Sequence, residues 1–230
     1  MTTVNHGMWV RDIVNEIPKS ADIFRKNRID YCCGGKISLS EAVAARGLDL
    51  EGLMGEINAI ETRDESGIQP KYLDEKGIIT FIQNRYHQEL LDEFQALSPY
   101  VTKLARKHGP NEPHLVRLQE LYKELRSEMM THTEEEDHVV FPMIIQYMEN
   151  PSSEISDKLQ PHVSELEGEH ETVGNILKEL RQITSDFTPH SEACGTYRLV
   201  YTRLEKIEKD TFDHVHLENH VLFERVRKAM

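Results

Sequence analysis

"HTEEEDHVVF" at residues 132–141 returns as "HVHLENHVLF" at residues 214–223, with His, Glu, His, Val and Phe at the same offsets. In each copy a glutamate follows the first histidine by four residues. Positions i and i+4 share one face of an α-helix, so His132 projects with Glu136, and His214 with Glu218. The flanking apolar residues turn that face inward. Leu115, Leu118, Leu121, Leu125, Glu128, His132, Glu136, Val139 and Met143 recur in steps of three and four, and so do Leu204, Ile207, Thr211, His214, Glu218, Val221 and Leu222. Two further stripes carry one histidine each: His87, Leu90, Leu91, Phe94, Leu97, Val101 and Leu104, then Val163, Leu166, His170, Val173, Leu177 and Leu180. Breaks at "KHGPNEP" (107–113), "ENPSSE" (149–154) and "DFTPHSE" (186–192) separate the four segments, and nothing alternates with a period of two. The expected fold is all-α, an up-down four-helix bundle.

Six ionisable groups therefore converge on one core. Burying unpaired carboxylates and imidazoles is costly unless charge or coordination compensates them, and a metal centre compensates all six. His87 precedes His170 by 83 residues and His132 precedes His214 by 82, so two hairpins of one design face each other. Two metals bridged by two carboxylates suit that symmetry better than one. Measured from Pro110, His87 lies 23 residues back and His132 lies 22 forward, which brings them level in an antiparallel hairpin. Measured from Pro189, His170 lies 19 back and His214 lies 25 forward, a mismatch of about 9 Å at 1.5 Å per residue. Imidazole and carboxylate ligands without an inward thiolate suit iron or manganese, with zinc open on ligand type alone. The Glu-x-x-His pair of ferritin-like carboxylate proteins and the H-E-x-x-H of metalloproteases are both absent. His138, His216 and His220 fall off the apolar stripes and are read as surface or supporting residues. His6, His108, His114, His162 and His190 are read as solvated, His162 at a helix start after Pro161. Glu128 shares the inward stripe one turn before His132, as a supporting or channel-lining group.

Ahead of the bundle, apolar clusters broken by Pro18 and Gly34-Gly35 predict a small domain of short helices over residues 1–60, and the polar, aperiodic stretch over residues 61–73 reads as a linker to a bundle over residues 74–230. The 230 residues carry a formal charge of −13, which argues against a nucleic-acid backbone as partner. No apolar run approaches the ~20 residues of a membrane span, and the first residues do not read as a secretion signal. Three cysteines, one unpaired by arithmetic, suit a reducing cytoplasm. Two of them are adjacent in "IDYCCGGK" (29–36). Neighbouring Cα atoms about 3.8 Å apart are poorly spaced for a relaxed disulfide, so Cys32 and Cys33 are expected to act as nucleophiles or soft ligands, against the plainer reading of two small buried hydrophobes.

The paired histidine motifs and the preceding lone histidines resemble the hemerythrin-like di-iron bundles over residues 74–228, and "VRDIVNEIPKSADIFRKNRIDYCCGGKISLSEAVAARGLD" resembles the N-terminal domain of the iron-sulfur cluster repair di-iron proteins, the repair of iron centres family. The resemblance implies two non-haem irons per chain on His87, His132, Glu136, His170, His214 and Glu218. It also implies a role in repairing iron-sulfur clusters damaged by nitric oxide or oxidative stress, with damaged iron-sulfur proteins as partners, nitric oxide or oxygen as small ligands, and a homodimer as one arrangement open to the chain. Iron donation, gas binding or sensing without turnover, and enzymatic reduction of nitric oxide all remain open at this point. Oxygen-carrying hemerythrins have a further histidine one turn after the third-helix ligand. Here that position is Gly174, which leaves room for a small molecule or for close packing. Cys32 and Cys33 are expected to form a transfer station between the bundle and a damaged cluster.

Overall fold

The structure, a computed structural model, describes residues 3–60 and 69–230, so residues 61–68 of the expected linker lie outside the described part. Four short helices come first: α1 (Val10–Glu16), α2 (Ser20–Lys26), α3 (Leu39–Arg46) and α4 (Leu50–Asn58). The start and stop of α3 follow from its sequence. Ser38 and Glu41 form a reciprocal capping box, and Gly47 closes the helix in the left-handed region at φ 63°.

Four long helical rods follow. The first is α5 (Glu75–Ile82), a π-helical turn Gln83–His87, and α6 (Gln88–His108); the second is α7 (His114–Glu135), a π turn Glu136–Val140, and α8 (Phe141–Glu149). The third, α9 (Ser153–Ile183), starts where the Ser152 side chain accepts the Ile155 N–H at 3.3 Å. The last is α10 (Gly195–Leu217), a π turn Glu218–Leu222, and α11 (Phe223–Ala229). No strand occurs among the described residues, and none of their helices is long and apolar enough to cross a membrane. The all-α bundle is as expected.

The π turns change the phase that regular periodicity assumes. A π turn holds one more residue than an α turn, so everything after it rotates by about 100°. After Glu136–Val140 the buried stripe is Val140, Phe141, Ile144 and Tyr147, while Val139 is exposed and Met143 half-buried. Two other expectations change. Glu128 is exposed, because Met129 takes the inward position. Pro161 and His162 lie inside α9, which begins at Ser153.

The apolar interior forms two clusters. One runs from Ile78, Ile79 and Ile82 through Phe141, Ile144, Leu159 and Leu166 to Phe223 and Val226. The other holds Leu90, Phe94, Leu118, Leu125, Leu177 and Leu204 and continues without a break into Ile13, Phe24, Tyr31, Leu39 and Ile57 of the small helices. The belt of histidines and glutamates lies between them along each rod. The small helices thus share a core with the bundle, and polar contacts reinforce the docking. Tyr31 Oη donates to Asp213 at 2.7 Å, Arg11 pairs with Glu224 at 2.8 Å and Lys178 with Asp30 at 3.0 Å. Past the undescribed residues, Pro70–Tyr72 makes a 3-10 turn whose Lys71 donates to the Asn15 carbonyl at 2.9 Å.

Candidate metal centre

The six residues picked out by helical phase meet in one place. His87, Glu136, His214 and Glu218 form one group, and His132, Glu136, His170 and Glu218 a second; the ligating atoms within each lie within 4.8 Å of one another. Both glutamates belong to both groups. Glu136 Oε2 is 3.4 Å from His87 Nε2 and 3.3 Å from His132 Nε2, while Glu218 Oε2 is 3.2 Å from His170 Nε2 and 3.5 Å from His214 Nε2. The height mismatch read for the second hairpin therefore does not keep its histidines apart. Each group takes one histidine from each hairpin, His132 facing His170 and His87 facing His214, with ring centroids 4.6 and 5.5 Å apart.

These groups are built for cations. All six residues are at most 2% exposed. Both oxygens of Glu136, both of Glu218 and Nε2 of His87 and His214 make no hydrogen bond, although they face one another. Such a set of buried acceptors is costly without positive charge among them. Burial would lower the pKa of His87, yet Asp137, Glu136 and Glu218 push it up to about 12. Burial would likewise lower His132, and Glu136 with Glu169 pushes it up to about 9. His214, which burial takes down to about 3, stays neutral. Each group thus draws one positive charge, and imidazole with carboxylate is a donor set that fits iron, manganese or zinc.

Supporting contacts fix which nitrogen faces the centre. His87 Nδ1 meets Asp137 Oδ1 at 2.9 Å, His132 Nδ1 meets Glu169 Oε2 at 2.7 Å, and His170 Nδ1 meets Asn219 Oδ1 at 3.0 Å. With Nδ1–H donating, each Nε2 is the nitrogen turned to the centre; His132 Nε2 and His170 Nε2 share a proton at 2.9 Å, which a bound cation would displace to free both lone pairs. The repeat extends to this layer. Asp137 and Asn219 occupy equivalent positions, each just after a shared glutamate and inside a π turn, and Phe141 stacks on His87 as Phe223 stacks on His170, both at 12° between planes. The symmetry fails where Tyr86 replaces Glu169: its ring lies over His214, whose Nδ1 has no acceptor.

Phase alone misses Asp137, Glu169 and Asn219, because each sits one residue from a ligand and so about 100° off the stripe. The signal available was the repeat, which pairs Asp137 with Asn219 and Phe141 with Phe223. His138 is exposed and binds the Glu134 carbonyl at 3.0 Å, outside both groups. His216 and His220 are also outside both groups, but buried, because the small helices cover that face. His216 Nδ1 donates to the Tyr31 carbonyl at 3.1 Å. His114 is half-buried and meets Tyr197 and Tyr201 hydroxyls, each at 3.1 Å.

The cysteine turn rests on the back of this centre. Cys32 is buried and Cys33 half-buried, with Cys33 Sγ 3.5 Å from the His170 carbonyl. Asn219 Nδ2 donates to the Cys32 carbonyl at 3.1 Å while its Oδ1 accepts from His170. A carbonyl can only accept, so this contact sets the orientation of the amide and, through it, the tautomer of His170. Burial pushes the Cys32 thiol well up, and the neighbouring Cys33 and Asp30 add to it. Gly35 makes the tight return possible, since a Cβ there would lie 2.6 Å from the Tyr31 carbonyl oxygen. Gly174 sits below the turn, where a Cβ would stand 3.9 Å from Cys33 Sγ. The room beside the glycine is thus bordered by a thiol.

Comparison with known proteins agrees with this arrangement. Residues 79–226 match the hemerythrin HHE cation binding domain, and residues 7–61 match ScdA_N, a domain of unknown function. The chain is 47% identical over 216 residues to the iron-sulfur cluster repair protein ScdA of Staphylococcus haemolyticus, covering 94% of this chain and 96% of that protein. It is 45% identical over 219 residues to the ScdA of Staphylococcus epidermidis, with the same coverage of 94% and 96%. To the iron-sulfur cluster repair protein YtfE of Yersinia pseudotuberculosis it is 31% identical over 213 residues, covering 93% of each. With its ScdA_N segment leading into a hemerythrin HHE domain, the chain belongs to the family of ScdA and YtfE.

Proposed function

We propose that this chain repairs iron-sulfur clusters damaged by nitric oxide or oxidative stress, acting in the cytoplasm on damaged iron-sulfur proteins and holding two irons of its own. The observation that carries this reading is the pair of four-residue groups sharing Glu136 and Glu218, with unpartnered carboxylate oxygens turned toward one another. His87 and His214 would hold one iron and His132 and His170 the other, with Glu136 and Glu218 available to both. When bound, iron supplies redox chemistry and an exchangeable position for a small ligand such as nitric oxide or oxygen. The chain's own part is to present four lone pairs and two carboxylates in a dry core. Asp137, Glu169 and Asn219 hold the imidazole protons on the outer nitrogens. Cys32 and Cys33, packed against the helix of His170, are the hand-off point to the client.

The test is to mix the iron-loaded protein with an iron-sulfur enzyme damaged by nitric oxide, following recovered activity beside the iron content of both. Recovery matched by iron loss is the expected result. Gas turnover without recovery would replace repair by a nitric oxide-consuming activity.

The supporting layer gives a second measurable outcome. Asn219→Leu removes the acceptor for His170 and the donor to Cys32 together, and Asp137→Leu removes the acceptor for His87. Each should lower metal affinity about 10- to 100-fold, read as faster loss of iron to a competing chelator, while the helical signal in circular dichroism persists. Unchanged retention in both variants would mean that these contacts do not orient the ligands.

A further inference from the structure

The turn at residues 30–33 brings two thiols and a carboxylate together outside the His/Glu belt. Cys32 Sγ lies 3.5 Å from Cys33 Sγ and 3.4 Å from Asp30 Oδ1, and ligating atoms of the three residues all fall within 4.8 Å of one another. Two thiolates on one tetrahedral ion, each at about 2.3 Å, stand roughly 3.7 Å apart, so the sulfurs are already near the spacing an ion requires. The backbone holds them there. Asp30 Oδ1 accepts the N–H groups of Cys33 at 3.0 Å and Gly34 at 3.1 Å, which fastens the carboxylate to the turn that carries the thiols. Asp30 and Cys33 are reachable from outside, while Cys32 is buried. A groove of about 290 Å³ runs beside the turn, lined by Asp30, Cys33, Glu171, Gly174, Asn175 and Lys178, with room for an ion and the waters that complete its coordination.

We propose that Asp30, Cys32 and Cys33 form a separate binding site for a single divalent ion of borderline softness, ferrous iron in use and cobalt or zinc as substitutes, beside the His170 helix. Loading releases the two thiol protons to solvent and forms two metal–sulfur bonds and one metal–oxygen bond, with no change of oxidation state. The site stands on its own geometry. Its use, as the station through which iron passes between the bundle and a client, rests on the repair reading above.

Lys178 supplies a control of opposite sign. Its Nζ lies 3.0 Å from Asp30 Oδ2, so it neutralises the carboxylate and repels an incoming cation. Removing the carboxylate charge and removing the lysine should therefore move affinity in opposite directions. Asp30→Asn is a clean probe, because the amide oxygen can still accept the Cys33 and Gly34 N–H groups while the negative charge is gone.

The experiment uses the full chain with its bundle already iron-loaded and titrates cobalt(II), whose thiolate charge-transfer absorption reports metal–sulfur bonds directly. The expected result is one further ion per chain with that absorption. Cys33→Ser should abolish it, Asp30→Asn should weaken binding about tenfold or more, and Lys178→Met should tighten it by a similar factor. Absence of the sulfur absorption in the wild-type chain, or affinity unmoved by both Asp30→Asn and Lys178→Met, would overturn the site. If the absorption is present but Cys33→Ser still repairs clusters at the normal rate, the ion site stands and the hand-off reading falls. If the absorption is missing while Cys33→Ser stops repair, the site falls and the thiols serve repair in another way.

Discussion

In the chain loaded with two irons, Glu136→Gln and Glu218→Gln should each strip both metals from the bundle together, whereas His138→Ala should leave both in place. Glutamine keeps the shape of the side chain but replaces a charged oxygen with an amide that presents N–H groups to the centre. Each glutamate belongs to both four-residue groups, so one substitution damages two sites. His87→Ala, in contrast, removes a ligand from one group only. A loss of about 100-fold or more in affinity for each metal is expected for either glutamine variant, at least as large as the effect of losing an outer hydrogen bond. Metal analysis after dialysis, with the visible absorption of the ferric protein, provides the readout. If Glu136→Gln released a single metal, the carboxylate would serve one ion alone. Equal losses from His138→Ala would mean that the side chains facing the centre have been misassigned.

Changing Cys32 and Cys33 together to Ser should cut cluster repair at least about tenfold while the bundle keeps its iron. Neither sulfur belongs to the His/Glu groups, and the nearest link to them passes through the His170 carbonyl and Asn219. Cys32 is buried, and a hydroxyl in its place without a partner costs about 1–3 kcal/mol. Thermal unfolding is therefore recorded alongside, with Cys33→Ser alone as the milder variant. Repair at the normal rate in a folded double variant would make the pair structural. Loss of the bundle's iron would instead place the thiols in the metal centre itself.

The sequence was most informative where one physical rule acted alone. Helical phase with the duplicated motif singled out His87, His132, Glu136, His170, His214 and Glu218, which the structure brings together, because each lies on a stripe that also holds leucines. It failed where a second cause intervened. The π turn at Glu136–Val140 moved the core from Val139 and Met143 to Val140 and Ile144, and no residue type in that stretch announces an extra residue in a turn. His216 and His220 lie off the stripe facing the bundle centre but are buried by a second neighbour, the small helices, which periodicity along α10 cannot reveal. Asp137, Glu169 and Asn219 escaped because their partners are on other helices. The contribution of Asp30 depends on a turn closed by hydrogen bonds, a three-dimensional fact about a short polar stretch.

Gly174 has a consequence for what this bundle can become. A methyl group there would reach ordinary contact distance from Cys33 Sγ, at 3.9 Å, with no other neighbour nearer. An alanine at 174 is therefore compatible with the docked cysteine turn, and any longer side chain has to turn away from the sulfur to share the space. The small residue on α9 keeps the thiol and the His170 helix in close company, and the size of whatever stands at 174 sets how near the two can stay.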